Sequence, residues 1–364
     1  MRGDRQRLWP VLSVAILLSS CGGGRDVTGG APPPVTATCA TSPVIARWTK
    51  VTDAAAWSPR DSAAEFSLAG QLWIMGGWED SFKKTPRDVW SSVDGFSWRR
   101  QVEEAPWTHG DLPATTVHDD RMWLVGGWAD GRLPSASATN EVWSSAEGVY
   151  WQRHPPAPWS ARLGGAAASF KGSLWLAGGV TDFHNGTADS LRNDVWRTAR
   201  GDSWTLVTAD APWSPRAYHQ LVAHGGRLYL LGGGNYAPDY QARNDVWSTE
   251  DGVAWRLDTE SAPWSPRIWF SAVSYRGYLW VLGGFSDGPY RNWGDVWYSR
   301  DGRHWARYET DAQWSPRHEH STVIHADQIW VAGGLAERGV LVNDVWRLAL
   351  PADWLGGCDA QASP

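Results

Sequence analysis

The stretch Leu72-Trp73-Ile74-Met75-Gly76-Gly77-Trp78 decides the fold, because the chain writes the same sentence again and again. Its counterparts are MWLVGGW from Met122, LWLAGGV from Leu174, LYLLGGG from Leu228, LWVLGGF from Leu279 and IWVAGGL from Ile329, spaced 50 to 54 residues apart. Downstream of each glycine pair comes an acid, a valine and a tryptophan: Asp88-Val89-Trp90, then the same triplets starting at Glu141, Asp194, Asp245, Asp295 and Asp344. A turn and a further tryptophan follow, as in Ser92-Val93-Asp94-Gly95-Phe96-Ser97-Trp98, with counterparts ending at Trp151, Trp204, Trp255 and Trp305. Asp-Gly reads as a two-residue hairpin turn, since glycine adopts positive φ without strain. Each unit is therefore expected to hold four short antiparallel strands.

A four-stranded repeat of about 50 residues is the mark of a propeller blade. The last unit stops early: after Trp346 come Leu348, Leu350 and Pro351, with no turn and partner tryptophan. The missing piece stands at the other end, where Trp48-Thr49-Lys50-Val51-Thr52 and Trp57-Ser58-Pro59-Arg60 match Trp305 through Trp314-Ser315-Pro316-Arg317. A repeat split between the termini predicts a closed ring, because closure pairs two edges that an open array would leave exposed.

The glycine pair, the acid-Val-Trp strand and the later tryptophan together resemble the kelch repeat over residues 43–354. The resemblance implies an all-β, six-bladed β-propeller of four-stranded kelch-type blades, closed by the N-terminal strand. Ser-x-Asp-Gly-x-x-Trp also looks like the Asp-box of sialidase-type propellers, but is one residue short between Asp and Gly. Blade two departs from the pattern, with Thr108-His109-Gly110 where the others carry Pro or Ala followed by Arg.

Composition agrees with a repetitive architecture: 364 residues with 29 Trp, 39 Gly, 22 Pro and 42% hydrophobic residues exclude a disordered chain. A net charge of -6 argues against a nucleic-acid partner. Each buried indole removes about 150–250 Å² from water, worth roughly 4 to 6 kcal/mol before entropy. The tryptophans at 90, 143, 196, 247, 297 and 346 are accordingly assigned to the core. The repeated arginines Arg60, Arg162, Arg216, Arg267 and Arg317 are expected to pair with acids or carbonyls of their own blades.

Residues 1–20 read as a lipoprotein signal peptide: Arg2, Arg5 and Arg7 precede the apolar run Leu8–Leu18, too short to span a bilayer. LSSC at Leu18–Cys21 resembles the bacterial lipobox, which makes Cys21 the acylated mature N-terminus and residues 21–42 a Gly- and Pro-rich tether. Gly22 in place of Asp points, by the enterobacterial sorting rule, to the outer membrane. Cys39 precedes the closing strand and Cys358, in the tail 355–364, follows blade six; a disulfide between them is expected, worth roughly 5 to 6 kcal/mol by chain entropy.

Function falls to the variable loops around the channel mouth. Ligand-binding candidates there are Trp78, Trp128, Asp130, His184, Tyr236, Trp269, Phe285, Asp287 and Glu319, a mixture of aromatics and acids suited to a glycan or protein ligand. If the chain is an enzyme, Glu319, His318 and Glu79 are the acid–base candidates, and the periplasmic N-acetylneuraminate epimerase, a six-bladed kelch protein, offers a mutarotase or epimerase as alternative. A copper site of the galactose oxidase kind lacks its cysteine. No cofactor is expected, and His318-Glu319-His320 is a weak metal motif without further ligands at defined spacing.

Overall fold

The computed structural model describes residues 46–79, 85–128, 138–288, 290–310, 313–352 and 354. The signal peptide, Cys21, Cys39, Asp130 and Cys358 lie outside them. Six four-stranded antiparallel sheets form the blades. Their inner strands are Ala64–Leu68, Ala114–His118, Ala166–Phe170, Gln220–His224, Ser271–Tyr275 and Ser321–His325. Each inner strand packs beside the next, and that of blade six packs beside that of blade one. The ring is closed.

Closure follows the split repeat. In blade six the order is Ser321–His325, Gln328–Ala332, Val345–Leu348 and finally Trp48–Thr52, with Trp48 opposite Leu348 and Lys50 opposite Trp346. Trp48 also completes a set of edge-to-face indole pairs, one per blade. Trp57–Trp98, Trp107–Trp151, Trp159–Trp204, Trp213–Trp255, Trp264–Trp305 and Trp314–Trp48 all have ring centroids 5.8 to 6.0 Å apart. Such pairs add about 0.5–1.5 kcal/mol each beyond area burial.

The glycine pairs explain how blades join. The second glycine of each pair donates its N–H to a carbonyl at the head of the next blade: Gly77 to Gly110 (2.6 Å), Gly127 to Arg162 (2.9 Å), Gly179 to Arg216 (2.9 Å), Gly233 to Arg267 (3.1 Å), Gly284 to Arg317 (2.9 Å) and Gly334 to Arg60 (2.8 Å). The last of these crosses the closure. Only glycine fits: Gly77 has φ +87°, and a Cβ there would lie 2.4 Å from the Asp61 carbonyl oxygen.

The arginines are structural, as expected. Arg317 makes a two-pronged ion pair with Asp344 (2.6 and 3.1 Å) and also donates to the Gly333 carbonyl at 3.0 Å. Arg60–Asp88, Arg162–Asp194, Arg216–Asp245 and Arg267–Asp295 repeat it. In blade two Gly110 occupies the arginine position, and the buried His109 instead sets Nδ1 3.4 Å from Glu141. That contact, helped by Trp143 and Arg153, holds the Glu141 carboxyl at about 2. The departure in sequence is a substitution of the whole pair, acid included.

Two expectations change. Trp90, Trp196, Trp247, Trp297 and Trp346 are half-buried, each donating its indole N–H to the acid two residues earlier at 2.7 or 2.8 Å. Trp57, Trp107, Trp159, Trp213, Trp264 and Trp314 are the fully buried set instead, at most 2% exposed. The acid keeps 11 to 16% of its side chain exposed, and its tryptophan partner stays with it. The Asp-Gly hairpin is also wider than a two-residue turn. Loop 93–98 joins Val89–Ser92 to Arg99–Val102, and the Asp94 carboxylate caps it by accepting the N–H groups of Phe96 and Ser97.

Candidate functional site

The six loops that lead into the inner strands converge on the channel mouth. At the same step of each stands a residue in the left-handed region: Ser62 (φ 52°), Leu112 (50°), Gly164 (59°), Tyr218 (59°), Trp269 (55°) and Glu319 (51°). A non-glycine residue there costs roughly 1–2 kcal/mol. Backbone bonds from one loop to the next offset that cost: Ser62 N–H to the Glu319 carbonyl (3.0 Å), Gly164 to Leu112 (3.1 Å), Tyr218 to Gly164 (2.7 Å) and Glu319 to Trp269 (2.9 Å). The mouth is thus a rigid collar.

Its two halves differ in chemistry. The residue before the left-handed one is Leu163, Ala217 or Ile268 on blades three to five, but His318, Asp61 or Asp111 on blades six, one and two. On the apolar half the loop aromatics stack on one another. Phe183 lies 4.6 Å from Trp128, Tyr236 lies 4.7 Å from Trp269, and His318 stacks on Trp269 at 5.3 Å with an 18° tilt. Phe285 closes the cluster, 5.1 Å from both His318 and Tyr290.

The structure places the candidates accordingly. Trp128 and Phe285 are buried within the stack, Trp269 sits at 9% exposure on its channel side, Tyr236 is half-buried, and His184 and Asp287 are exposed. Trp78 is half-buried, its backbone paired with that of Asp61. Trp269, Tyr218 and Glu319 line the mouth-side cavity. Glu79 does not share it: its carboxylate accepts the Ser58 hydroxyl at 2.6 Å, beside the Arg60 network. His318 Nε2 is 4.0 Å from Glu319 Oε2, and His318 Nδ1 meets the Asn292 side-chain oxygen at 2.6 Å. His320 turns instead to Trp314, 5.3 Å away, and burial, with Arg317 nearby, holds it at about 3. Two residues of the His-x-His motif therefore face different surroundings.

Two small sheets build a crevice on the rim between blades five and six. Phe285–Ser286 pairs with Arg291–Asn292, and Arg317–His318 pairs with Leu335–Ala336, which continues through a turn at Glu337–Gly339 into Val340–Leu341. The crevice has a volume of about 240 Å³ and is lined by Tyr290, Arg291, Asn292, His318, Glu337 and Arg338 among others. Tyr290 is 77% exposed. Arg291 lies 4.3 Å from the Trp293 ring. Arg291 and Asn292 escaped sequence reading because their strand is only two residues long, too short for any periodicity to show.

Glu65 also escaped it. It sits at the second position of its inner strand, where the other blades have Thr115, Ala167, Leu221, Ala272 and Thr322. Alternation alone reads such a residue as solvent-facing, whereas in a ring that face looks into the channel. Burial pushes its carboxyl up to about 8, against the Thr322 N–H, which favours the ionised form.

A closed β-propeller with a rigid, chemically divided mouth is a binding or scaffold module in its general class. A family model, the KLHDC2/KLHL20/DRC7 kelch-repeats domain, matches residues 164–354, and the chain belongs to the kelch-repeat family. Beta-scruin of Limulus polyphemus is 27% identical over 128 residues, 33% of this chain but only 13% of that protein. The solved structure of YjhT superposes with a TM-score of 0.67 over 83% of this chain and 98% of its own, at 14% identity, a likeness of fold.

Proposed function

We propose that this kelch propeller is a binding module held at the bacterial envelope through acylated Cys21, and that its ligand is a glycan seated on the rim between blades five and six. The crevice carries the reading. An exposed tyrosine face beside two arginines, an amide, a histidine and a carboxylate is a combination that suits a sugar ring, with C–H faces against the aromatic and hydroxyls on the polar groups. A wall of stacked rings lies behind it, from Phe285 through His318 to Trp269.

Tyr290 and Arg338 are rim residues, so their substitution tests binding without removing core. On an oligosaccharide array, Tyr290→Ala and Arg338→Ala are each expected to weaken the wild-type signal at least about tenfold while the thermal melt stays unchanged. Equal binding by both variants, or a wild-type protein that captures only polypeptide, overturns the glycan reading. Anchoring is tested separately by labelling with an alkynyl fatty acid, expected on the wild type and lost in Cys21→Ser.

A further inference from the structure

The inner strands turn one residue in two toward the channel, and among them Glu65 is the one carboxyl. Two cavities follow one another along the axis, a mouth-side one of about 130 Å³ and a deeper one of about 280 Å³. They share Glu65, Thr115, Ala167, Gln220, Leu221 and Ser271, so Glu65 stands at the waist between them. No lysine or arginine is among the described residues lining either cavity. The charged or titratable groups there, besides Glu65, are Glu319, Tyr218, His219 and His320, and burial holds both histidines neutral.

A second observation points to a ligand. Thr322, across the closure seam from Glu65, is only 7% exposed, lines the deeper cavity, and its Oγ1 is buried with no hydrogen-bond partner. A buried hydroxyl left unpaired costs about 1–3 kcal/mol, a cost removed when the Thr322 side chain turns its hydroxyl toward a donor in the cavity it lines. The approach from the mouth runs past Leu112, Tyr218, Trp269 and Leu221, which give a methylene stem apolar surface to lie on, beside the polar Ser62 and Glu319.

We infer that the channel waist is a binding site for a primary alkylammonium group, whose N–H donors meet the Glu65 carboxylate and the Thr322 and Thr115 hydroxyls. Such a group is carried by a free amine or by a lysine side chain entering from the mouth. At neutral pH the proton balance is explicit. Glu65 enters as the protonated acid, the ammonium keeps its protons, and the Glu65 proton leaves to solvent as the ion pair forms.

The probe is n-butylammonium chloride, titrated calorimetrically near pH 7 in two buffers of different ionisation enthalpy. Saturable binding with up to one proton released is expected. Glu65→Gln should lose the proton release and weaken binding at least about tenfold, Thr322→Val should weaken it less, and tetramethylammonium, which has no N–H, should bind far more weakly. Circular dichroism and melting check that both variants fold. A lysine-containing peptide that competes with butylammonium assigns the natural source to a side chain, and one that does not assigns it to a free amine. Absence of saturable binding by the wild type, or equal binding by Glu65→Gln, overturns the proposal.

Discussion

The Ser67 hydroxyl and His325 Nδ1 lie 3.0 Å apart although 258 residues separate them, and this contact ties the inner strand of blade one to that of blade six. The same contact recurs at every second seam, with His118 to Ser169 and His224 to Ser274, both 2.8 Å. In those two, Nε2 meets the Ala199 or Arg300 carbonyl, so Nε2 carries the proton and Nδ1 accepts from serine. Blades two, four and six supply the histidine; blades one, three and five supply the serine. The six-fold ring thus has a three-fold pattern laid over it.

Removing either partner at the closing seam is expected to cost about 1 kcal/mol, and the coupling in a Ser67→Ala/His325→Ala cycle to be about 0.5–1.5 kcal/mol. Urea denaturation measures both. The same cycle at Ser169 and His118 should give a similar value, since a closed ring has no privileged seam.

Breaking the Arg317–Asp344 pair through Asp344→Ala leaves a guanidinium that is 1% exposed without its carboxylate. A loss of about 3–5 kcal/mol is expected in chemical denaturation. Glu141→Ala in blade two should cost less, because His109 is already kept neutral by burial and Arg153 reaches solvent.

At Gly252, with φ +77°, an added Cβ would lie 2.2 Å from the Trp175 ring of the preceding blade. Gly95 stands in the same relation to Trp330, and Gly148 to Trp73. Gly252→Ala combines left-handed strain with overpacking and is expected to destabilise by about 2–4 kcal/mol, whereas Gly277→Ala, with nothing within 4 Å, should show the strain alone. Comparing the two melts separates the contributions.

Stability should fall toward both acid and mild alkali for different reasons. His219 and His320 are held at about 3 in the folded chain, so between about 3 and 6.5 only the unfolded chain binds protons there, and stability drops as pH falls from 6.5. Glu65 is the reverse: raised to about 8, it holds a proton between 4.5 and 8 that the unfolded chain has lost, so stability drops as pH rises through that window. His219→Phe, which copies Phe270 at the matching position of blade five, should flatten the acid slope. Glu65→Gln should flatten the upper one and raise the melting temperature at pH 8. Melting curves from pH 4 to 9 decide both.

The legible part of the molecule is the part that repeats. Arg60 with Asp88 could be read as an intrablade pair because the same two residues recur at the same separation in other blades, and Trp48 could be placed opposite blade six because its surroundings copy those of Trp305. The half-burial of Trp90 and its counterparts was not legible. Hydrophobic character assigned them to the core, but the acid two residues earlier lies at the edge of the blade, partly exposed, and the indole N–H that it accepts holds the ring there. Nor was the burial of Trp128 and Phe285, since mutual stacking joins loops some 50 residues apart that share no local pattern.

Sequence alone determined the blade count, the strand order within a blade and the way the ring closes, since these depend on near-neighbour pairing written out repeatedly along the chain. Tertiary structure alone decided that Glu65 faces the central channel and that Tyr290, His318 and Arg338 border one crevice. Facing and proximity across blades are set by the curvature of the closed ring, which no single repeat contains.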